Sequence, residues 1–323
     1  VTLQQLAYFV ALADVRSFTR AADQSGVAQP TLSRQLKALE DELGAPLVNR
    51  GRGELTLTPA GEAVLPLARR ILADSESART AVAEIVGLRR GRVRVGATPS
   101  LCIGVVADVL RVFHEQYPDI HLELSENGSQ PLVRDLTRGL LDVAVLVVPR
   151  EGLDPSLEIT PLMRERLSVA SPRSGRPPSG RGSMSVAELS RRSLVMFRKG
   201  YDLREVTLQA YADAGVTPKF AVEGGEMDAV LRMVEAGTGV AVVPDLVFAG
   251  RPRLRRTVLT PPLYRTVALA RRSDVAPTQA SQAFCDTLLS FIGEVSAIGG
   301  LSADVQVLHR WREETPRRPA PRN

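Results

Sequence analysis

Gln29, Ser33 and Lys37 recur at intervals of four residues in the stretch QPTLSRQLKALEDEL, with Pro30, Thr31 and Arg34 beside them. A helix stacks residues four apart on one face. Amide, hydroxyl, ammonium and guanidinium groups near a helix start form a donor-rich surface of the kind a DNA major groove requires. Any surface helix also has a polar face, so the pattern alone leaves both readings open. Further on, PLVNRGRGELTLTP reads as two short strands, 47–50 and 54–57, joined by a Gly-Arg-Gly tip. That hairpin would hold Arg50 and Arg52 beside the reading helix, where arginines can follow a minor groove or phosphates.

A second set of polar residues falls at turns. Thr98-Pro99-Ser100, Gly128-Ser129 and Lys199-Gly200-Tyr201 each follow a strand pattern and precede a helix pattern, and Pro244 follows the strand GVAVV. Hydroxyls and free N–H groups at such turns suit a carboxylate or a similar anion, although serine and threonine also cap helices in any α/β protein. Thr98, Ser100, Ser129, Gly200 and Tyr201 are therefore the candidate contacts for a small, anionic metabolite. Cys102 sits near a helix start, where a thiolate is favoured, but it adjoins Leu101 and Ile103 as a small buried hydrophobe would. His114, His121 and His309 show no metal-ligand spacing, and no glycine-rich phosphate loop or nucleophile elbow occurs. The sequence offers no enzyme chemistry and calls for no cofactor or metal.

The positioning elements follow from caps and periodicity. Thr2-Leu3-Gln4-Gln5 fits a capping box for a helix to about Val15, Ser17 caps a second, short helix, and Ser25-Gly26 turns the chain. The third helix, from Gln29, buries Leu32, Leu36, Leu39 and Leu43 and stops at Gly44 and Pro46. Thr58-Pro59 opens a long helix expected to run towards Gly91, roughly 45 Å at 1.5 Å per residue. Along it Val64, Ala68, Ile71, Ser75, Ala78, Val82 and Ile85 alternate spacings of four and three, a heptad seam suited to pairing with a second copy. LRRG, residues 88–91, is the expected hinge.

From Arg92 strands alternate with helices, the signature of a parallel sheet. RVRVGAT, HLELSE and DVAVLVV read as strands separated by helices, and the alternation restarts after Pro161. RTVALARR and a helix from Gln279 to Ile292 look able to return to the first half. SPRSGRPPSGRGSMS, residues 171–185, reads as a long mobile loop, and the segment after Gly299 as a tail unstructured towards its end.

With 323 residues, 44% of them hydrophobic, the chain can form two or three domains. The net charge of +5 does not by itself indicate nucleic acid, since residues 1–90 carry 11 Lys+Arg against 10 Asp+Glu. Only three lysines occur, so the positive charge is nearly all arginine. Two cysteines, Cys102 and Cys285, are too few for a disulfide framework, no export signal is evident and no run approaches a membrane span; a cytoplasmic protein with no membrane partner is expected.

LQQLAYFVALAD, SFTRAA, AQPTLSRQLKALEDELGAPL and LTPAGEAVL together resemble the winged helix-turn-helix of the LysR-type transcriptional regulators, over residues 3–65. The resemblance implies an α+β multidomain chain: winged helix-turn-helix at 1–58, dimerising linker helix at 59–90, and two-lobed α/β effector domain at 91–295. That last domain is similar to type 2 periplasmic-binding proteins, with subdomain I at 91–161 and 266–295 and subdomain II at 162–265, before a tail at 296–323. It implies that Gln29, Pro30, Thr31, Ser33 and Arg34 meet the major groove and that Arg50 and Arg52 serve the wing. Its implied partners are double-stranded DNA as an interrupted inverted repeat, a small effector and a homodimer or homotetramer, with RNA polymerase a candidate. The rival is a solute-binding or carrier protein on the same two-lobed fold. Three positions depart from the family: Ala28 stands where a serine usually caps the reading helix, a loss of about 1 kcal/mol; Val48 replaces a phenylalanine, and Glu54 puts an acid where a base is frequent.

Overall fold

Thr2 opens the first helix of the computed structural model, which describes residues 1–49, 55–85, 91–149, 154–175, 177–180, 182–297 and 305–308. Its hydroxyl accepts from the Gln5 N–H while the Gln5 side chain accepts from the Thr2 N–H, the reciprocal cap that the sequence predicts for α1 (Leu3–Val15). The turn into α2 (Phe18–Gln24) passes through Arg16 at φ 50°. Buried Ala21 and Ala22 allow close packing of α2 on α1 and on α3 (Gln29–Leu43). Leu32, Leu36 and Leu39 share a core with Phe9 and Leu12, whereas Leu43 is exposed because the predicted stripe outruns the two shorter helices that cover it. The wing strands β1 (Val48–Asn49) and β2 (Thr56–Leu57) pair antiparallel and lead into α4 (Pro59–Ile85), which continues across Pro66. The predicted hinge residues 88–90 lie outside the described residues.

The first lobe contains β3 (Arg92–Ala97), α5 (Pro99–Leu101) passing through a π-helical turn into α6 (Ala107–Gln116), β4 (His121–Glu126), α7 (Ser129–Thr137) and β5 (Val143–Val147). Every residue of β5 is buried, as a strand covered on both faces must be. Val143 and Val145 face the core with Phe113 and Phe284, while Ala144 and Leu146 face Leu132 and Leu136 of α7. The long strand β6 (Leu157–Pro172) then carries the chain out of this lobe. The second lobe holds β7 (Ser183–Met184), α8 (Val186–Leu189), β8 (Ser193–Phe197), α9 (Asp202–Asp213), β9 (Lys219–Gly225), α10 (Met227–Glu235) and β10 (Ala241–Pro244). β11 (Leu254–Arg272) returns the chain, and α11 (Gln279–Ala297) covers the first lobe.

β6 and β11 pair antiparallel from Leu157–Arg272 to Pro172–Leu254, with irregularities in register, and form the floor shared by both lobes. The eight-stranded sheet runs β10-β6-β11-β5-β3-β4, with β7 added on β11 and a last strand, β12 (Val305–Val307), on β6, and β8 pairs with β9 beside it. The expected loop 171–185 is shortened at both ends, since β6 includes Pro172 and β7 pairs with β11; Arg176 and Arg181 lie outside the described residues. The tail contains one short strand, and its end, residues 309–323, lies outside the described residues. Residues Val305–Val307 form β12 on the edge of β6, with half-buried Val305 and Val307 against the first-lobe core and Gln306 outward. This V-Q-V alternation is a half-buried strand pattern.

α4 also rests on the first lobe. Arg70 pairs with Asp274, Arg272 reaches Asp74 at 2.7 Å and Asp274 at 2.9 Å, and a Cβ on Gly139 would lie 2.8 Å from that of Ala73. The Arg272 hydrogen bond, then its charge and that of Arg70, hold the Asp274 carboxyl below its ordinary 3.8. A depressed carboxyl contributes fully above its ordinary value and ceases to do so as pH falls through the folded one. Thermal melts should therefore separate the parent from Asp274→Asn above about pH 5, and the two should converge towards about pH 3. High salt should narrow the gap, because this cluster is partly exposed.

Candidate functional site

α3 presents the predicted reading face. Gln29, Pro30, Arg34 and Lys37 are exposed, and Thr31 and Ser33 are half-buried at its edges. Ala28 provides no side-chain cap, so the first N–H groups of α3 remain available to an anion such as a phosphate. Arg34 makes no ion pair among the described residues, whereas Lys37 is held by Asp41 at 2.6 Å. Arg50 and Arg52 lie outside the described residues.

The wing is anchored by Glu40 and Gly61, neither of them singled out from the sequence, and by Thr58, expected there only as a helix cap. Glu40, buried on α3, accepts the Leu47 N–H at 2.9 Å and the Val48 N–H at 3.4 Å, fixing the wing strand to α3. The Thr58 hydroxyl donates to the Pro46 carbonyl at 2.6 Å and accepts from the Gly61 N–H at 3.0 Å. A Cβ on Gly61 would sit 2.0 Å from the Leu47 carbonyl oxygen, so only glycine allows α4 to start this close to the wing. Val48 is buried in the helix-turn-helix core.

The predicted seam of α4 divides in two. Ala68 is 1% exposed in the core with α1, and Val64 is half-buried against the same core, so Ala68 has no surface to offer a partner and Val64 little. One helix face cannot serve both its own domain and a second chain. The outward stripe is Leu67, Ile71, Ala78 and Val82, with Leu67 at 58%, Ile71 at 46% and Val82 at 62% exposure. Leu67 was missed because it lies one position from the heptad chosen from sequence. The Ile85 side chain lies outside the described residues.

Between the lobes, the predicted turns do converge. Ser129 donates its hydroxyl to Asp202 Oδ2 at 2.8 Å and accepts the Val147 N–H at 3.0 Å, which ties the lobes together. Gly128 and Gly200 also touch, since a Cβ on Gly128 would be 3.1 Å from the Gly200 carbonyl oxygen, and Gly200 itself sits at φ 76°. Arg198 of the second lobe pairs with Glu226 and reaches Asn127 of the first at 3.4 Å. Pro244 is buried at the end of β10.

The floor carries a group with no counterpart in the predicted set. Arg265 of β11 lies opposite Glu165 of β6 in the strand register, and both are buried. Arg265 Nε donates to Glu165 Oε2 at 2.8 Å, and Nη1 donates to the Ser100 hydroxyl at 2.7 Å. Nη2 is also 2.7 Å from Glu165 Oε2 but off line for a hydrogen bond, so its donors are unspent. The Thr98 hydroxyl and the Tyr201 hydroxyl are likewise buried without a partner. Ser100 and Ser129 are thus engaged within the protein, while Thr98, Tyr201 and Arg265 keep unmet hydrogen-bonding capacity. Buried polar groups are normally satisfied, and three unsatisfied ones around one floor mark a place for a ligand. Burial raises the Asp202 carboxyl above its ordinary value despite hydrogen bonds from Ser129, and burial likewise raises the Tyr201 hydroxyl.

Among the described residues no group of three or more His, Cys, Asp or Glu side chains could hold a metal ion, and no helix is long and apolar enough to cross a membrane. His309 lies outside the described residues.

Comparison with known proteins gives a consistent picture. The family described as bacterial regulatory helix-turn-helix protein, lysR family, matches residues 3–62, and the LysR substrate binding domain matches residues 87–292. The chain is 32% identical to YnfL, an HTH-type transcriptional regulator of Escherichia coli, over 76% of this chain and 82% of that one. It is 33% identical to the regulator TtuA of Agrobacterium vitis over 75% and 80%. Among solved structures it is similar to a full-length OxyR variant from Pseudomonas aeruginosa, with TM-score 0.69, 27% identity and coverage of 89% and 97%. It is also similar to full-length CbnR complexed with its target DNA, with TM-score 0.65, 26% identity and coverage of 90% and 100%.

Proposed function

The chain belongs to the LysR family of DNA-binding transcriptional regulators, and from that membership we propose how its parts divide the work. The exposed face of α3, with Gln29, Pro30, Ser33 and Arg34, reads the major groove, and Thr31 helps set its edge. Two copies pair along Leu67, Ile71, Ala78 and Val82 of α4, so that two reading helices meet an interrupted inverted repeat about one helical turn apart, ~34 Å. Ile71→Asp combined with Val82→Asp should convert the dimer to monomers in sedimentation while leaving the helical content unchanged. Pairs of dimers and contact with RNA polymerase extend the same reading, which places the protein with the chromosome in the cytoplasm.

The interlobe cleft binds a small effector that carries a carboxylate, held by Arg265, Thr98 and Tyr201. The observation that supports this most is the convergence of three buried unsatisfied polar atoms on the floor between the lobes. The effector acts by favouring one arrangement of the domains, since equal affinity for two arrangements would switch nothing. Selection of bound genomic fragments, with and without metabolite pools, tests the whole reading. Enrichment of fragments sharing an inverted repeat, altered by the pools, is expected; retention of no fragment at modest salt would overturn it. A solute carrier on the same fold has no use for the exposed α3 face and is not favoured.

Several relatives are named hydrogen peroxide-inducible genes activators, including that of Dickeya chrysanthemi at 29% identity over 84% of this chain. That response does not transfer readily. Burial, then the Glu126 carboxylate, pushes the Cys102 thiol up to about 12, and burial pushes Cys285 up to about 11. A thiol that stays protonated is a poor nucleophile. Iodoacetamide at pH 8 should leave both cysteines unmodified in the folded protein and label both in urea; rapid labelling of folded Cys102 would reopen a peroxide response.

A further inference from the structure

The charges around the cleft specify its ligand more narrowly than a carboxylate. Glu126, at the end of β4, lies level with Ala97 at the end of β3, one residue before Thr98. It is exposed, makes no ion pair among the described residues, and its side chain engages the Cys102 thiol. The Arg265 cation and, against it, the Glu226, Asp202 and Glu126 carboxylates are all near enough for their charges to act on the Tyr201 hydroxyl. Glu226 is neutralised by Arg198, and Asp202 accepts from the Ser129 hydroxyl and N–H without a paired cation among the described residues. On the floor, Glu165 already neutralises Arg265. The cleft therefore combines unspent hydrogen-bonding groups at its floor with two carboxylates, Glu126 and Asp202, that form no ion pair among the described residues; Arg265, already paired with Glu165, reaches Asp202 only through its longer-range charge.

A purely anionic ligand would meet the floor donors but would add to that surplus of negative charge. A simple amine would meet the surplus but leave the Arg265 donors unspent. We propose that the effector is a zwitterion, an α-amino acid or a related amino carboxylic acid. Its carboxylate takes the donors of Arg265 Nη2, Thr98 and Tyr201, and its ammonium faces Glu126 and Asp202. Charge-assisted hydrogen bonds at both ends would set its orientation, and a carboxylate without an amine would be discriminated against by the acids it leaves uncompensated. This proposal rests on the reading of the cleft as the effector site.

Isothermal titration of the full-length protein tests it with the proteinogenic amino acids, their N-acetyl derivatives, and the corresponding acids that lack the amino group. At least one amino acid should bind, with its N-acetyl and deaminated forms at least about tenfold weaker, as expected when a charge-assisted bond is lost. Glu126→Gln, an exposed substitution, should remove most of that preference, and Thr98→Val should weaken binding of the amino acid. Tight binding of a dicarboxylate or another amine-free acid that Thr98→Val weakens would keep the cleft as the site and overturn the zwitterion. A bound ligand indifferent to both substitutions would place the site elsewhere and overturn the cleft reading itself. If no amino acid binds, the zwitterion proposal fails outright.

Discussion

Arg34→Ala should lower affinity for the selected operator by about 1–3 kcal/mol per half-site, the usual cost of losing an arginine that reads a base edge. Because a dimer loses two such contacts at well-separated positions, the losses should add, giving about 2–6 kcal/mol in a fluorescence anisotropy titration at fixed salt. The melting temperature should not change, since Arg34 is exposed and makes no ion pair among the described residues. Discrimination between operator and random duplex should fall with the affinity. Lys37→Ala gives a contrasting control. Its ammonium is shared with Asp41, and a contact from it to phosphate predicts that its loss weakens all duplexes alike and reduces the salt slope by about one. An Arg34→Ala protein that retained full discrimination would remove α3 from the role of reading helix.

Glu165→Ala should destabilise the two-lobed domain more than any other single change considered. It strands the Arg265 guanidinium in a buried site and takes the acceptor from the Leu246 N–H, which Glu165 Oε1 accepts at 2.8 Å. Breaking a buried pair by removing one partner costs about 3–5 kcal/mol. For a domain of this size that corresponds to a drop of about 10 °C in melting temperature, measured by calorimetry. Burial raises the Glu165 carboxyl above its ordinary value, against the pull of Arg265 and of the Leu246 N–H. The double variant Glu165→Met, Arg265→Leu should regain most of the stability, as replacing both charges usually does. It should not regain the effector response, because the floor donor is gone. Recovery of both would assign the pair a purely structural role.

These two sites differ in how far the sequence reveals them. The reading helix is legible because its determinants are local: the Thr2 cap, the alanines at 21 and 22, and the leucines at 32, 36 and 39 all act within a few turns. The Arg265–Glu165 pair joins residues one hundred positions apart, and only the register of β6 on β11 brings them together. A signal was present even so. Arg265 alternates with Val267 and Leu269, and Glu165 with Met163 and Leu167, so each charge stands at an inward position of a strand. A lone charge on a buried face needs a partner, and two such strands offer one another theirs. The heptad on α4 misled for a different reason. An apolar repeat records burial but not what covers it, so Ala68, packed on α1, and Ile71, facing outward, look alike in sequence.

The packing of α4 into the helix-turn-helix core makes the head and the rod a single stiff lever. Val64, Leu65, Ala68 and Leu72 are inserted among Phe9, Leu12 and Leu36, so neither part can swing without the other. The first lobe grips the rod at Arg70, Ala73 and Asp74, within two residues of Leu72, the last contact with the head. A tilt of the lobe would therefore be handed straight to the head rather than amplified along the roughly 40 Å of the 27-residue helix.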